Sequence, residues 1–195
     1  VGNTMIDTLV KLEDKFDTSE MLTNLSLTKR DYILITLHRA SNTDNVIELK
    51  KIMESLVDIS KKIKCVFPIH PRTKTNLIRF NIYEDYLNVD NLNIIEPLGY
   101  IDFMCLQKNA KLIVTDSGGI QEESSYFGVP CMTMRDNTER PVTITSGTNK
   151  LMGSDFSNLA NEIIKFNYNK TDDIYLWDGK ASERIFDILQ EENII

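Results

Sequence analysis

The sequence predicts an α/β protein built on a doubly wound parallel sheet, and three observations carry that expectation. Short apolar runs rich in β-branched residues recur at 32–37, 64–69, 93–95, 111–115 and 129–134. Segments with apolar residues at helical spacing separate them, as expected when helices cover both faces of a parallel sheet. The chain has 195 residues, 42% of them hydrophobic, which is enough for one such core and hardly for a second.

The elements follow in order. Met5, Leu9, Leu12 and Phe16 share a helical face behind Thr4 and Asp7, which read as a capping box, so an amphipathic helix opens the chain. A polar stretch reaches Arg30. The run 32–37 is the first strand, and Val46, Leu49, Ile52, Met53, Leu56 and Ile59 mark the helix returning from it. A strand at 64–69 precedes a shorter helix near 75–80, and 93–95 leads to a helix through Phe103 and Leu106. The strand at 111–115 runs through Asp116-Ser117-Gly118-Gly119 into a helix ending at Phe127, and 129–134 is the next strand. A short strand at 150–152 is followed by a helix marked by Phe156, Leu159, Ile163 and Ile164. After an acidic segment, Trp177 reads as a core or interface anchor and Gly179 as a tight turn. Ala181, Ile185 and Leu189 then mark a closing helix, with Ser182 and Glu183 near its start.

The formal charge is −7, from 22 Lys and Arg against 29 Asp and Glu, and no basic run offsets it, so nucleic acid is not an expected partner. The charge is uneven. Residues 29–74 hold ten basic and five acidic side chains, whereas 172–192 hold two and seven, so a small polyanion would favour the first segment. Cys65, Cys105 and Cys131 stand alone inside apolar runs and read as buried reduced thiols. No apolar stretch approaches the roughly 18 residues a membrane span needs and no signal segment is visible, which predicts a cytoplasmic protein with no membrane partner. The opening VGNTMIDTLVKL, without an initiator Met, is what a fragment or processed piece would show.

Ligands of open α/β sheets bind beyond the carboxyl ends of the strands, and the unusual residues of this sequence fall there. In KLIVTDSGGIQEE, Ser117, Gly118 and Gly119 open a helix whose unpaired amides and dipole favour phosphate oxygens. An ordinary strand-to-helix turn is the alternative. Glu122 and Glu123 follow, and a carboxylate there suits a ribose attached to a diphosphate, because it can accept both sugar hydroxyls. Adjacent helical residues point about 100° apart, so only one of the two can face such a ligand. His38 and Arg39 leave the first strand together; they could neutralise a phosphate or donate to a leaving oxygen, or His38 could cap the next helix. His70, Arg72 and Lys74 repeat the arrangement one unit later, so both histidines of the chain sit at strand ends beside an arginine. No metal-ligand spacing accompanies them. Residues 134–141, MRDNTERP, read as a solvated loop or as a wall over a phosphate pocket. Phe103 reads as core, or as a surface for a base.

HRASN at 38–42, HPR at 70–72, EPLGYIDF at 96–103, TDSGGIQEE at 115–123, GVP at 128–130, MRDNTERP at 134–141 and DGKASERI at 178–185 together resemble the non-hydrolysing UDP-N-acetylglucosamine 2-epimerase family. The resemblance runs from Gly2 to Ile185 and corresponds to the carboxyl-terminal half of a family member. It implies a Rossmann-like domain, one half of a two-domain glycosyltransferase-B-type fold with its active site between the halves. On that basis residues 1–28 would be a linking helical segment, 29–170 the UDP-binding domain, and 171–195 a helix packing back toward the missing amino-terminal domain.

By the same resemblance Ser117, Gly118 and Gly119 would hold the diphosphate, Glu123 the ribose hydroxyls and Phe103 the uracil. His38 would reach the glycosidic phosphate as the catalytic residue of this half, and Arg140 would stand close to the phosphates; Arg39, His70 and Arg72 are further substrate-binding candidates from their strand-end placement, which suits an anion cleft. Glu122→Gln is expected to leave ligand binding unchanged. The implied reaction inverts C2 of UDP-N-acetylglucosamine without a cofactor or metal, by elimination of UDP to a 2-acetamidoglucal and re-addition. The carboxylates that handle the C2 proton belong to the missing domain. The implied partners are the UDP-sugar, that domain and, as a further candidate, a second copy of the chain. The sequence departs from the family pattern at Ser41 and Val142, where Glu is usual, and at Trp177, where Gly is more frequent. A nucleotide-sugar module without catalysis, or the donor half of a glycosyltransferase, are the competing readings.

Overall fold

In the computed structural model Tyr32–Thr36 (β1) sends alternate side chains into two different cores. Ile33 and Ile35 pack with Phe67 and Val114 on one face, while Tyr32 and Leu34 pack with Val66 and Ile113 on the other. A strand buried on both faces must be apolar throughout, so it appears in the sequence as a run rather than as alternation. The structure describes residues 1–153, 155, 158–166 and 173–194. Phe156, expected to mark a helix, lies outside them.

Two helices, α1 (Thr4–Phe16) and α2 (Met21–Asn24), precede β1. Beyond it come α3 (Ala40–Thr43), α4 (Val46–Ser60), β2 (Lys64–Pro68), α5 (Pro71–Arg79), α6 (Glu84–Leu87) and β3 (Leu92–Ile95). The second half runs through α7 (Tyr100–Asn109), β4 (Leu112–Thr115), α8 (Gly118–Phe127), β5 (Cys131–Thr133), α9 (Val142–Thr145), β6 (Asn149–Leu151), α10 (Leu159–Lys165) and α11 (Ala181–Glu191). The six strands lie in the order β3-β2-β1-β4-β5-β6, and every pairing is parallel. The chain lays strands to one side of β1, then crosses to the other. The topological switch point therefore falls between β1 and β4, whose ends Thr36 and Thr115 are register partners.

Helices α4, α5 and α10 cover one face, with Leu49, Ile52, Met53, Leu56, Leu77 and Ile163 in its core. Helices α7 and α8 cover the other, and α1 lies over them as a further layer through Ile6, Leu9 and Phe16. Trp177 packs on this last cluster, as an anchor would. The three cysteines are free and buried, and burial pushes the Cys131 thiol up to about 11. No described helix is long and apolar enough to cross a membrane.

The helix boundaries differ from the expectation where side chains act over distance. Asn3, not Thr4, caps α1 by accepting the Met5 amide at 2.9 Å, and Met5 is exposed while Ile6 takes the core position. The polar stretch before Arg30 contains α2, with Leu22, Leu25 and Leu27 packed on the core. Helix α5 begins at Pro71 rather than near Thr75, because proline suits the first helical position and His70 Nδ1 accepts the Arg72 amide at 3.1 Å.

Asp7, expected in a capping box, instead caps α11. Its carboxylate accepts the amides of Ala181 at 3.0 Å and Ser182 at 2.7 Å, across 174 and 175 residues of sequence. Burial works to raise this carboxyl, but hydrogen bonds from the Ser182 side chain and from both amides hold it below its usual 3.8. A pKa depressed on folding gives stability that is complete above the unfolded value and lost as pH falls through the folded one. Asp7→Ala should therefore cost about 1 kcal/mol near neutral pH, as loss of an N-cap does. Denaturant titrations at falling pH should show the two proteins converging in acid, and a constant gap down to the lowest pH would exclude this role.

Candidate functional site

At the switch point the hub is Asp116, fully buried at the end of β4. Its carboxylate accepts the amides of His38 at 3.0 Å and Arg39 at 2.9 Å, and Asn42 Nδ2 at 3.1 Å. His38 Nδ1 lies 2.9 Å from Oδ1. Arg39 Nε in turn donates to the Asp116 carbonyl at 2.9 Å. Burial pushes the Asp116 carboxyl up, yet the bond from the His38 side chain and the two amides outweighs it and keeps the group below the ordinary carboxylate range. The loop after β1 is thus fastened to β4. His38 has its Nδ1 committed to Asp116, which leaves Nε2 as the nitrogen available to a ligand.

His70 lies beside it, with ring centroids 5.4 Å apart. Its Nδ1 accepts the Arg72 amide, so Nε2 carries the proton of the neutral ring. Burial and then the neighbouring His38 hold the His70 pKa down. Arg72 does not join the cluster. Its guanidinium forks onto Asp44, with Nε 3.0 Å from Oδ1, and that pair holds the Asp44 carboxyl below its usual range. Lys74 is paired with Glu96.

Ser117 precedes α8 without capping it by side chain, and its own amide donates to Thr115 Oγ1 at 3.0 Å. The first amides of a ten-residue helix are therefore presented at the switch point. A Cβ at Gly118 would meet nothing within 4 Å, whereas one at Gly119 would come 3.1 Å from Met5 Cε. Gly118 leaves the approach to the helix start unobstructed, and Gly119 lets α1 close against α8. Both acidic residues that follow are buried. Glu123 accepts Gln107 Nε2 at 3.1 Å, and burial raises its carboxyl, with the adjacent Glu122 charge adding to the rise. Glu122 Oε1 accepts Asn3 Nδ2 at 2.8 Å and lies 2.8 Å from Arg140 Nε. Phe103 is half-buried, between the cores under α7 and α1.

The loop after β5 is ordered by α8. Gln121 Nε2 donates to the Ser117 carbonyl at 3.2 Å, and its Oε1 accepts Thr138 Oγ1 at 2.6 Å and Asn149 Nδ2 at 3.1 Å. Arg135 is buried and bonds both oxygens of Glu139, whose carboxyl that contact brings down to about 2. The loop is thus neither a freely solvated turn nor independent of the helix. A cleft of about 550 Å³ borders the Asp116 cluster, lined by Arg39, Ser41, Asn42, Met134 and Arg135 among others. Ser41 is exposed there, and Val142 opens α9 behind Pro141. Among the described residues no group of His, Cys, Asp and Glu is arranged to hold a metal ion.

Asp116, Gln121 and Asn42 are the members of the site that sequence reasoning passed over. The partners that tie them across the site lie from 17 to 92 residues away, and the TDSGGIQEE and HRASN strings contain all three without showing those partners.

Residues 1–190 match the family model described as UDP-N-acetylglucosamine 2-epimerase. The chain belongs to this family. It is 42% identical over 197 residues to the UDP-N-acetylglucosamine 2-epimerase of Methanocaldococcus jannaschii, covering 97% of this chain and 53% of that one. The crystal structure of the M. jannaschii epimerase in complex with UDP-GlcNAc and UDP superposes with a TM-score of 0.86 at 41% identity, over 98% of this chain and 54% of the other. The Neisseria meningitidis epimerase bound to UDP-GlcNAc gives a TM-score of 0.79 at 32% identity, over 97% and 54%. The chain spans about half the length of the relatives it matches. The expected parallel α/β fold, one half of a glycosyltransferase-B-type epimerase, is the one observed.

Proposed function

We propose that this chain supplies the UDP-binding half of an enzyme that interconverts UDP-N-acetylglucosamine and UDP-N-acetylmannosamine by elimination and re-addition of UDP. The observation that carries the reading is the open start of α8 at the switch point, with the His38–Asp116 pair beside it and a buried carboxylate in its second turn. Ser117, Gly118 and Gly119 receive the diphosphate, Glu123 the ribose hydroxyls and Phe103 the uracil face. Arg140 and Arg39 supply positive charge, and His70 flanks His38. Arg72 is the weakest member of the proposed set, since Asp44 already engages it.

Elimination breaks the C1–O bond and places negative charge on the departing diphosphate. Helix-start amides and the protonated His38 ring, whose Nδ1–H is held by Asp116 while its Nε2–H is free to donate, stabilise that charge as it develops. Removal and return of the C2 proton fall to carboxylates of a second domain. Residues 29–170 form the nucleotide-binding unit in this reading. Residues 1–28 link it to the other half and 171–195 pack toward that half, in a cytoplasmic protein that needs no cofactor.

The 195-residue chain alone should bind UDP weakly and exchange no C2 proton. Calorimetry with UDP, and deuterium incorporation from heavy water into UDP-N-acetylglucosamine, check both on one preparation. Clear turnover by the isolated chain would place the proton-handling groups here and refute the division of labour. A complete two-domain protein that binds UDP-sugar without C2 exchange would favour the non-catalytic module.

A further inference from the structure

We infer that Glu122 is a positioning residue for phosphate binding, which orients the Arg140 guanidinium and ties it to the entry segment of the chain through Asn3. The inference rests on the UDP reading above. It also departs from the sequence-based expectation that Glu122 is neutral toward the ligand.

Glu122 is only 6% exposed, in the second turn of α8. Its Oε1 accepts Asn3 Nδ2 and lies 2.8 Å from Arg140 Nε, while Oε2 is buried without a hydrogen-bond partner among the described residues. A carboxylate so enclosed is costly unless a cation compensates it, and Arg140 is the cation in contact with it. The contact acts equally on Arg140. That side chain is 40% exposed, and without a partner it would sample many rotamers.

The backbone of Arg140 is held from the same helix. Its amide donates to Thr138 Oγ1 at 2.9 Å, and the Thr138 hydroxyl donates to Gln121 Oε1, whose own amide reaches the Ser117 carbonyl. Gln121 thus fixes the main chain of Arg140 and Glu122 fixes its head, both about one turn beyond Gly118. The carboxylate contacts Arg140 at Nε, and among the described residues Nη1 makes a long 3.4 Å contact with the Glu139 carbonyl and no shorter one. A planar guanidinium can hold a carboxylate at one edge and phosphate oxygens at the other. Asn3 completes the link, because its Oδ1 caps α1 while its Nδ2 holds Glu122.

UDP and uridine are titrated into the native chain, Glu122→Gln, Arg140→Ala and the double variant. Glu122→Gln should weaken UDP by roughly fivefold to tenfold, leave uridine within about twofold, and add nothing once Arg140 is Ala. Asn3→Ser keeps a cap acceptor but removes the amide donor, and should weaken UDP by about twofold to threefold with uridine unchanged. This second variant decides the matter if Glu122→Gln fails to fold. Equal losses for UDP and uridine, an undiminished Glu122→Gln effect beside Arg140→Ala, or native UDP affinity in both Glu122→Gln and Asn3→Ser would each overturn the proposal. If UDP binds natively and responds to Glu123→Gln but not to Glu122→Gln, this inference alone falls. If the native chain does not bind UDP, the reading beneath it falls too.

Discussion

His38→Ala in a complete two-domain enzyme is expected to lower turnover by about a hundredfold or more while weakening UDP binding far less. The asymmetry follows from when the imidazole acts. In the bound substrate the bridging phosphate oxygen carries little charge, and it gains charge only as the C1–O bond breaks, so a donor aimed there contributes mainly to the transition state. The structure shows the ring held: Nδ1 lies 2.9 Å from Asp116, which stands two residues before the start of α8 at Gly118. Steady-state kinetics and UDP titration on the same variant separate the two effects. An unchanged turnover number would leave His38 as a brace between β1 and β4, which the hydrogen bond from its main-chain amide to Asp116 already makes it in part.

Replacing Asp116 is a different experiment. The carboxylate accepts from two main-chain amides as well as from the imidazole, so its loss strands buried donors and loosens the loop that carries His38 and Arg39. A turnover loss in Asp116→Asn would therefore mix orientation with stability. His38 is the cleaner probe of the chemistry.

The sheet was legible because strands buried on both faces appear as apolar runs, and the Gly118-Gly119 turn because it stands between such a run and a helical period. The four-residue helices α2, α3, α6 and α9 were not, since a single turn shows no period for a pattern to follow. Side-chain destinations were the harder part. Arg72 and His38 look alike in the sequence, each beside a strand end, but Asp44 lies next to one and Asp116 next to the other. Asp7 looks like a local cap and serves a helix that begins at Ala181. Local spacing constrains backbone conformation, whereas these pairings depend on which strands become neighbours, and the β1–β4 adjacency joins segments almost eighty residues apart.

Glu123→Gln should cost about 2 kcal/mol of UDP binding, roughly thirtyfold in affinity, if its carboxylate accepts both ribose hydroxyls. Replacing the ribose by 2'-deoxyribose should reproduce part of that loss in the native chain and add little in Glu123→Gln, because the two changes remove the same contact. Glu122→Gln should show the full native penalty for the deoxy ligand, since its effect lies with Arg140. The structure adds a dependence on pH. Burial raises the Glu123 carboxyl above its usual 4.5, so it protonates at a higher pH than an exposed glutamate, and a protonated carboxyl accepts one hydroxyl fewer. The affinity advantage of the native chain over Glu123→Gln should thus be full at neutral pH and shrink as pH falls through the raised value. Comparing the two proteins cancels the titration of the phosphates themselves. Additive losses for the deoxy ligand and Glu123→Gln, or an advantage that persists unchanged into acid, would take the carboxylate off the ribose and with it the orientation of the nucleotide over the start of α8.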